Sequence, residues 1–340
     1  MKEIKRIGID LAKSVFQAHG VDAHEHVALR KRLTRGRVLA FFAQLPPCQI
    51  GMEACGSAHY WARELRKLGH EVRLIAPQFV TPYRKNDKND GNDAEAICEA
   101  LGRPRMRFVP IKNAEQQAVL CVHRARSLLV GERTALVNQI RGLLAEYGMV
   151  VAQGVVRLRH ALPGILEDGE NGLPLLAREV FADLYARLQA LEAGVAAYDR
   201  RIAQLARTMA PAKRLMQVEG VGPLTATALV ATVGDARLFK NGRQLAAWLG
   251  LVPRQHSTGG KSRLGRITKR GDVYLRTLLV HGARSVLRHL AAKGDAKSRW
   301  GTALAARRGF NKAAVALAAK HARILWALLA HDTDYQRATT

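Results

Sequence analysis

Apolar and polar residues alternate from Ile4 to Ile9 and the run ends at Asp10, the period-two pattern of a strand with one buried face. Ser14 to Gly20 and His26 to Leu33 read as two further short strands, and three in a row predict an antiparallel meander. Beyond them the period changes repeatedly. Arg37 to Leu45 is expected to be a short helix, Gln49 to Glu53 a buried strand, Ala58 to Leu68 an amphipathic helix and Glu71 to Ala76 another strand. Asn92 to Leu101 reads as a helix and Met106 to Ile111 as a last strand.

A meander followed by alternating helices and parallel strands is the element order of an RNase H-like α/β domain, a mixed sheet with helices on both faces, here over residues 1–111. From Asn113 to Tyr147 apolar residues recur at helical spacing (Val119, Val122, Leu136, Ile140, Leu144 among them), and a second long helix is expected from Leu176 to Met209. A connector containing Gly154, Pro163, Gly169, Gly172 and Pro174 joins them. Two long helices so joined suggest an antiparallel coiled-coil arm over residues 112–210, with a plain helical bundle as the alternative. Pro211 opens a last unit, 211–340, expected to be all-α.

Charge narrows the partners. Lys and Arg number 54 against 28 Asp and Glu, a net charge of +26, and an excess of this size favours a polyanion, nucleic acid above all. The basic residues are spread through the chain and form neither one amphipathic helix nor a terminal tail, which argues against a membrane surface. No apolar run reaches the length of a bilayer span, and Met1 to Lys5 lead straight into the first strand, so a cytoplasmic, nucleoid-associated protein is expected. Four cysteines (Cys48, Cys55, Cys98, Cys121) without a C-x-x-C pair make zinc and structural disulfides unexpected. His24, Glu25 and His26 alternate on a strand or turn without a third ligand and carry no expected role.

Four carboxylates fall where such a sheet brings strand ends together. Asp10 ends the first strand, Glu53 ends the fourth, and Asp90 and Asp93 flank the start of the helix after the fifth strand. Converging carboxylates repel one another unless cations lie between them, and all-oxygen ligands favour Mg²⁺ or Mn²⁺, which can stabilise both the attacking and leaving oxygens of a phosphodiester. Singly, Asp10 also reads as a turn residue, Asp93 as a helix cap, and Asp87 as a competing acid in the same stretch. Ile7-Gly-Ile-Asp-Leu-Ala also resembles the first phosphate loop of the actin and sugar-kinase ATPases. The second glycine-rich loop those folds need, with its own aspartate, is missing, as is any G-x-x-x-x-G-K-[ST] loop.

Near the C-terminus, Val218-Glu-Gly-Val-Gly-Pro-Leu-Thr-Ala has the pattern of a helix-hairpin-helix, in which Gly220 and Gly222 let backbone N–H groups approach a phosphate; a tight interhelical turn without a ligand is the alternative. From Lys240 to Arg276 nine Lys or Arg accompany one acid, Asp272. Arg254, Lys261, Arg263, Arg266, Lys269 and Arg270 are its candidate nucleic-acid contacts. Within this stretch Ser257, between a proline and a glycine pair, is placed in a loop where its hydroxyl could reach a phosphate, although Ser257 and Thr258 also read as ordinary turn residues.

These motifs together resemble the DEDD transposases of the insertion-sequence 110 type, especially the 1111 subgroup, over nearly the whole chain. The matching residues are Asp10, Glu53 and Asp90-Gly-Asn-Asp93-Ala, then Gly250-Leu-Val-Pro253, Ser257-Thr-Gly-Gly and Gly265-Arg-Ile-Thr-Lys-Arg-Gly271. The resemblance implies a RuvC-like N-terminal domain and a composite site in which metals activate the serine to form a covalent phosphoserine link to DNA. It implies a dimer or tetramer bridged by the coiled coil, acting on donor and target double-stranded DNA. It also implies a structured bridge RNA whose base pairing supplies sequence choice. Some relatives place the serine directly before the first glycine, where this chain has Thr258; Ser257, the less crowded primary hydroxyl, is the expected nucleophile. The competing functions are a metal-dependent nuclease or junction resolvase that uses water, and a non-catalytic nucleic-acid-binding protein.

Overall fold

The alternating N-terminal pattern forms three strands, β1 (Arg6–Leu11), β2 (Val15–Val21) and β3 (Val27–Thr34), joined as an antiparallel meander. They are followed by α1 (Val38–Phe42), β4 (Gln49–Glu53), α2 (Ala58–Lys67), β5 (Glu71–Ile75), α3 (Pro77–Val80), α4 (Asp90–Leu101) and β6 (Phe108–Val109). This computed structural model describes residues 3–85, 89–290 and 294–336; Asp87 lies outside them. The six strands form one sheet in the order β3-β2-β1-β4-β5-β6, in which the β1–β4 and β4–β5 pairs are parallel and the β1–β2, β2–β3 and β5–β6 pairs antiparallel. This is the mixed sheet expected of an RNase H-like fold.

The two faces of the sheet are covered differently. Ile7, Ile9, Phe16, Ile50 and Met52 bury one face against α1 and α2 through Phe42, Trp61, Ala62 and Leu65. The other face carries Gly8 and Gly51 and takes α4. A Cβ on Gly8 would lie 2.3 Å from the Ala94 carbonyl oxygen and 2.4 Å from the Cys98 nitrogen, so only glycine lets this helix sit so close.

The chain divides at residue 114 into two units, 1–114 and 115–340. The second begins with α5 (Ala114–Ala145), then α6 (Val155–Glu167) and α7 (Leu175–Thr208). Helices α5 and α7 run antiparallel: Arg126 meets Asp199 at 2.5 Å, while Tyr147 meets Phe181 with ring centroids 6.3 Å apart. Helix α6 corrects the expectation of a plain connector. Its Leu158 and Leu162, one turn apart, are fully buried beside Ile140, Leu144 and Leu188, and this apolar stripe holds the helix together through Pro163.

The remaining elements are α8 (Ala210–Leu215), α9 (Pro223–Val233), α10 (Gly242–Trp248), strands β7 (Pro253–Thr258) and β8 (Lys261–Ile267), α11 (Val273–Arg288), α12 (Ala296–Arg308) and α13 (Phe310–His331). The part expected to be all-α thus contains a β-hairpin, and Ser257 lies on a strand instead of in a loop. Helix α13, contrary to the expectation of no such run, is long and apolar enough to cross a membrane. Its Ala314, Leu317, Ala318, Ala322 and Leu325 instead form the middle of the C-terminal core, against α8, α10, α11 and α12.

Candidate functional site

In the first unit, register brings two of the predicted carboxylates together. Ile9 pairs with Met52 in the parallel β1–β4 ladder, so Asp10 and Glu53, the next residue of each strand, leave neighbouring strands side by side. Adjacent strands lie about 4.8 Å apart. Both residues project to the face that carries Gly8 and Gly51, beneath α4. That helix runs antiparallel to β1, with Ala94 over Gly8 and Gly102 against Arg6, so its first turn reaches the end of β1 where Asp10 stands.

Asn89 caps α4, its Oδ1 accepting from the Asn92 N–H at 2.8 Å, and the helix starts at Asp90. Asp93 is therefore a first-turn residue and not the cap. It is buried, and its Oδ1 lies 2.5 Å from Nε of Arg84, a partner that no local pattern singles out. The backbone of Asp90 opens the helix; its side chain lies outside the described residues. Among the described residues no three His, Cys, Asp or Glu side chains converge as a ready-made metal site. The field of the pair is nevertheless felt nearby. The Cys55 thiol is pushed above its usual range first by desolvation and then by the negative charges of Glu53 and Asp10. An all-oxygen donor pair with a negative field, at the first turn of α4, fits a hard divalent cation.

Glu25 of the histidine-flanked triplet is structural. It binds the Arg6 guanidinium, while Asp22 Oδ1 accepts from the backbone N–H groups of His24 and His26 to close the β2–β3 turn.

In the second unit the basic stretch forms the β7–β8 hairpin, exposed along almost its whole length. Its root is a clamp of two loops. A Cβ on Gly271 would lie 1.9 Å from the Trp248 carbonyl oxygen, and one on Gly250 would lie 2.1 Å from that of Arg270. Thr268 N–H donates to the Val252 carbonyl at 2.9 Å, Lys269 takes a left-handed conformation (φ 54°), and Asp272 caps α11 through the Leu275 N–H at 2.9 Å.

Ser257 pairs with Ser262, and Thr258 with Lys261. Strand alternation puts Ser257 on one hairpin face with Gln255, Ser262 and Leu264, and Thr258 on the other with His256, Lys261 and Arg263. The Gln255 amide donates to Ser257 Oγ at 2.8 Å. Arg254 lies across from Gly265, and Lys269 and Arg270 belong to the root. The two glycines of the Val218–Ala226 motif part company. Gly220 (φ 82°) packs on α11, where a Cβ would lie 2.7 Å from the Gly282 carbonyl oxygen, whereas nothing crowds Gly222.

Comparison with known proteins covers both units. A profile described as transposase, for the DEDD type of IS110, matches residues 7–149, and one described as "Transposase IS116/IS110/IS902 family" matches residues 212–299. A probable family 20 transposase of Pseudomonas aeruginosa is 59% identical over 98% of this chain and 99% of its own length. The transposase for insertion sequence element IS1111A of Coxiella burnetii is 46% identical over 99% of this chain and 92% of its own. That for IS1328 of Yersinia enterocolitica is 39% identical over 99% and 100%.

Proposed function

This chain belongs to the IS116/IS110/IS902 family of transposases and is a DNA-transposing enzyme of an insertion sequence, and from that premise we propose that it cuts and rejoins DNA through the Asp10–Glu53 pair and the Ser257 hydroxyl. The observation that carries the reading is the placement of Asp10 and Glu53 side by side beneath the first turn of α4. Asp10, Glu53, Asp90 and Asp93 are the residues that would hold Mg²⁺ or Mn²⁺, which supplies charge stabilisation at phosphate oxygens and a more acidic attacking hydroxyl. Ser257 Oγ attacks a backbone phosphorus. The Oγ–P bond forms as one P–O bond to deoxyribose breaks; the serine gives up its proton and the leaving oxygen takes one up. The phosphoserine link conserves the bond energy for rejoining, and attack by a new DNA hydroxyl reverses the step.

The rest of the proposal follows the family resemblance. Residues 112–210 serve as a coiled-coil arm between subunits, so that a dimer or tetramer brings residues 1–111 and 211–340 to one phosphodiester. Gly222, Arg254, Lys261, Arg263, Arg266, Lys269 and Arg270 contact nucleic acid backbone, with Gly220 shaping the helix-hairpin-helix turn. A bridge RNA selects the sequences. The test is strand cutting in Mg²⁺: Asp10→Asn and Glu53→Gln abolish cutting while DNA binding persists. Undiminished cutting by either variant contradicts the proposal.

A further inference from the structure

The sheet face that carries Asp10 and Glu53 continues into a basic groove. Asp10 pairs with Gln17 on β2, and Gln17 pairs with Arg32 on β3, so Glu53, Asp10, Gln17 and Arg32 form one row across four strands. Two residues along, Gly51, Gly8, His19 and Arg30 form the next row on the same face. Helix α4 covers β1 and part of β2, leaving a cavity of about 330 Å³ between its Asn92 and Glu95 edge and the outer strands. At about 4.8 Å per strand, Arg32 stands about 10 Å from Asp10.

We propose that this groove seats the phosphate backbone of the DNA strand being cut, a few nucleotides from the scissile phosphate, with Arg32 and Arg30 as its contacts. The assignment rests on the reading that Asp10 and Glu53 mark the cutting site. Buried His19 forms the floor. Glu95, the acid in the groove, is engaged by Lys85 at 3.1 Å and by Arg30 at 3.8 Å. Arg32 has no hydrogen-bond or ion-pair partner among the described residues, and its exposed guanidinium is available to a phosphate. Lys31, between the two arginines, turns to the opposite face, its Nζ 4.7 Å from the centroid of the Phe41 ring. A DNA strand cut at Asp10 that follows the sheet toward β3 meets this row, whereas an uncut RNA has no such tie to it; DNA is therefore the occupant the geometry favours.

The test is the salt dependence of DNA binding by the full-length protein, with a DNA duplex as probe and a structured RNA as the second arm. Each lost phosphate contact lowers the slope of log affinity against log salt by about 0.9 for duplex DNA. Arg32→Gln is expected to lower it by about that amount and Arg30→Gln/Arg32→Gln by about twice as much, with Arg32→Lys restoring it and Lys31→Gln changing it clearly less. A double variant indistinguishable from Lys31→Gln overturns the assignment, as does a slope change seen with RNA and not with DNA. Cutting lost in Asp10→Asn with the arginine effect absent defeats the groove alone; the arginine effect with undiminished Asp10→Asn cutting defeats the catalytic reading and leaves a DNA-binding groove.

Discussion

The side-chain amide of Gln255 donates a 2.8 Å hydrogen bond to Ser257 Oγ, along one face of an exposed hairpin. A donor aimed at this oxygen orients it and favours its deprotonated form, the species that attacks phosphorus. Gln255→Ala is therefore expected to slow single-turnover formation of a protein–DNA link about tenfold, the equivalent of one hydrogen bond of about 1.4 kcal/mol, with DNA affinity little changed. An unaltered rate contradicts this role.

Gly8 and Gly271 sit where a methyl group has no room. Gly8→Ala puts a Cβ 2.3 Å from the Ala94 carbonyl oxygen and pushes α4, with Asp93, off the sheet; Gly271→Ala puts one 1.9 Å from that of Trp248 and opens the hairpin root. Each is expected to destabilise its own unit by about 1–3 kcal/mol or more, read as a lower urea midpoint.

How much of this was legible in the chain varies with the physics of each part. The sheet is legible because β1, β2 and β4 bury alternate or continuous apolar positions, and Glu53 ends its strand where the run Ile50 to Met52 stops. Helix α6 is obscured by Gly154 and Pro163, which read as breakers, although Leu158 and Leu162 keep helical spacing. The hairpin is hidden for a different reason: β7 and most of β8 bury nothing, so no hydrophobic period marks them. Of the site, Asp10, Glu53 and the Asp90–Asp93 stretch are visible as acids at element ends. Arg84 against Asp93, Gln255 beside Ser257 and Arg32 across from Gln17 depend on folding and have no local signature.

His123 ties α5 to α9 and α11. Thr227 Oγ1 donates to the Pro223 carbonyl at 2.7 Å, so the His123 Nε2–H donates to Thr227 at 2.9 Å and Nδ1 accepts from the Tyr274 hydroxyl at 3.0 Å. Burial lowers this ring, and that of His321, to about 4 from 6.5. The unfolded chain therefore takes up protons near pH 6.5 that the folded one refuses until about pH 4. Stability is full above the upper value, falls as pH drops between the two, and levels off below the lower one. Each ring contributes at most about 3 kcal/mol to that fall. His123→Gln is expected to flatten part of the slope in urea titrations across this range; an unchanged slope contradicts the assignment.

Cys55 offers a reading of metal binding independent of activity. Its thiol is raised by desolvation and by the charges of Glu53 and Asp10, so neutralising those charges should lower it and increase the reactive thiolate. Glu53→Gln is expected to speed alkylation of Cys55 several-fold at neutral pH, and Mg²⁺ to speed it in the unaltered protein but not in Asp10→Asn. An alkylation rate indifferent to Mg²⁺ contradicts a cation at this pair.

Ser257 and Thr258 stand on opposite faces of the hairpin, which makes the nucleophile assignment sharp. The most direct measurement is a denaturing gel of labelled DNA incubated in Mg²⁺ with protein expressed from its flanking element, so that any guide RNA co-purifies. The expected result is label migrating with the protein, lost in Ser257→Ala and Asp10→Asn and kept in Thr258→Ala. Cut DNA without attached protein, unaffected by Ser257→Ala, contradicts the serine mechanism and leaves the carboxylates acting by hydrolysis alone.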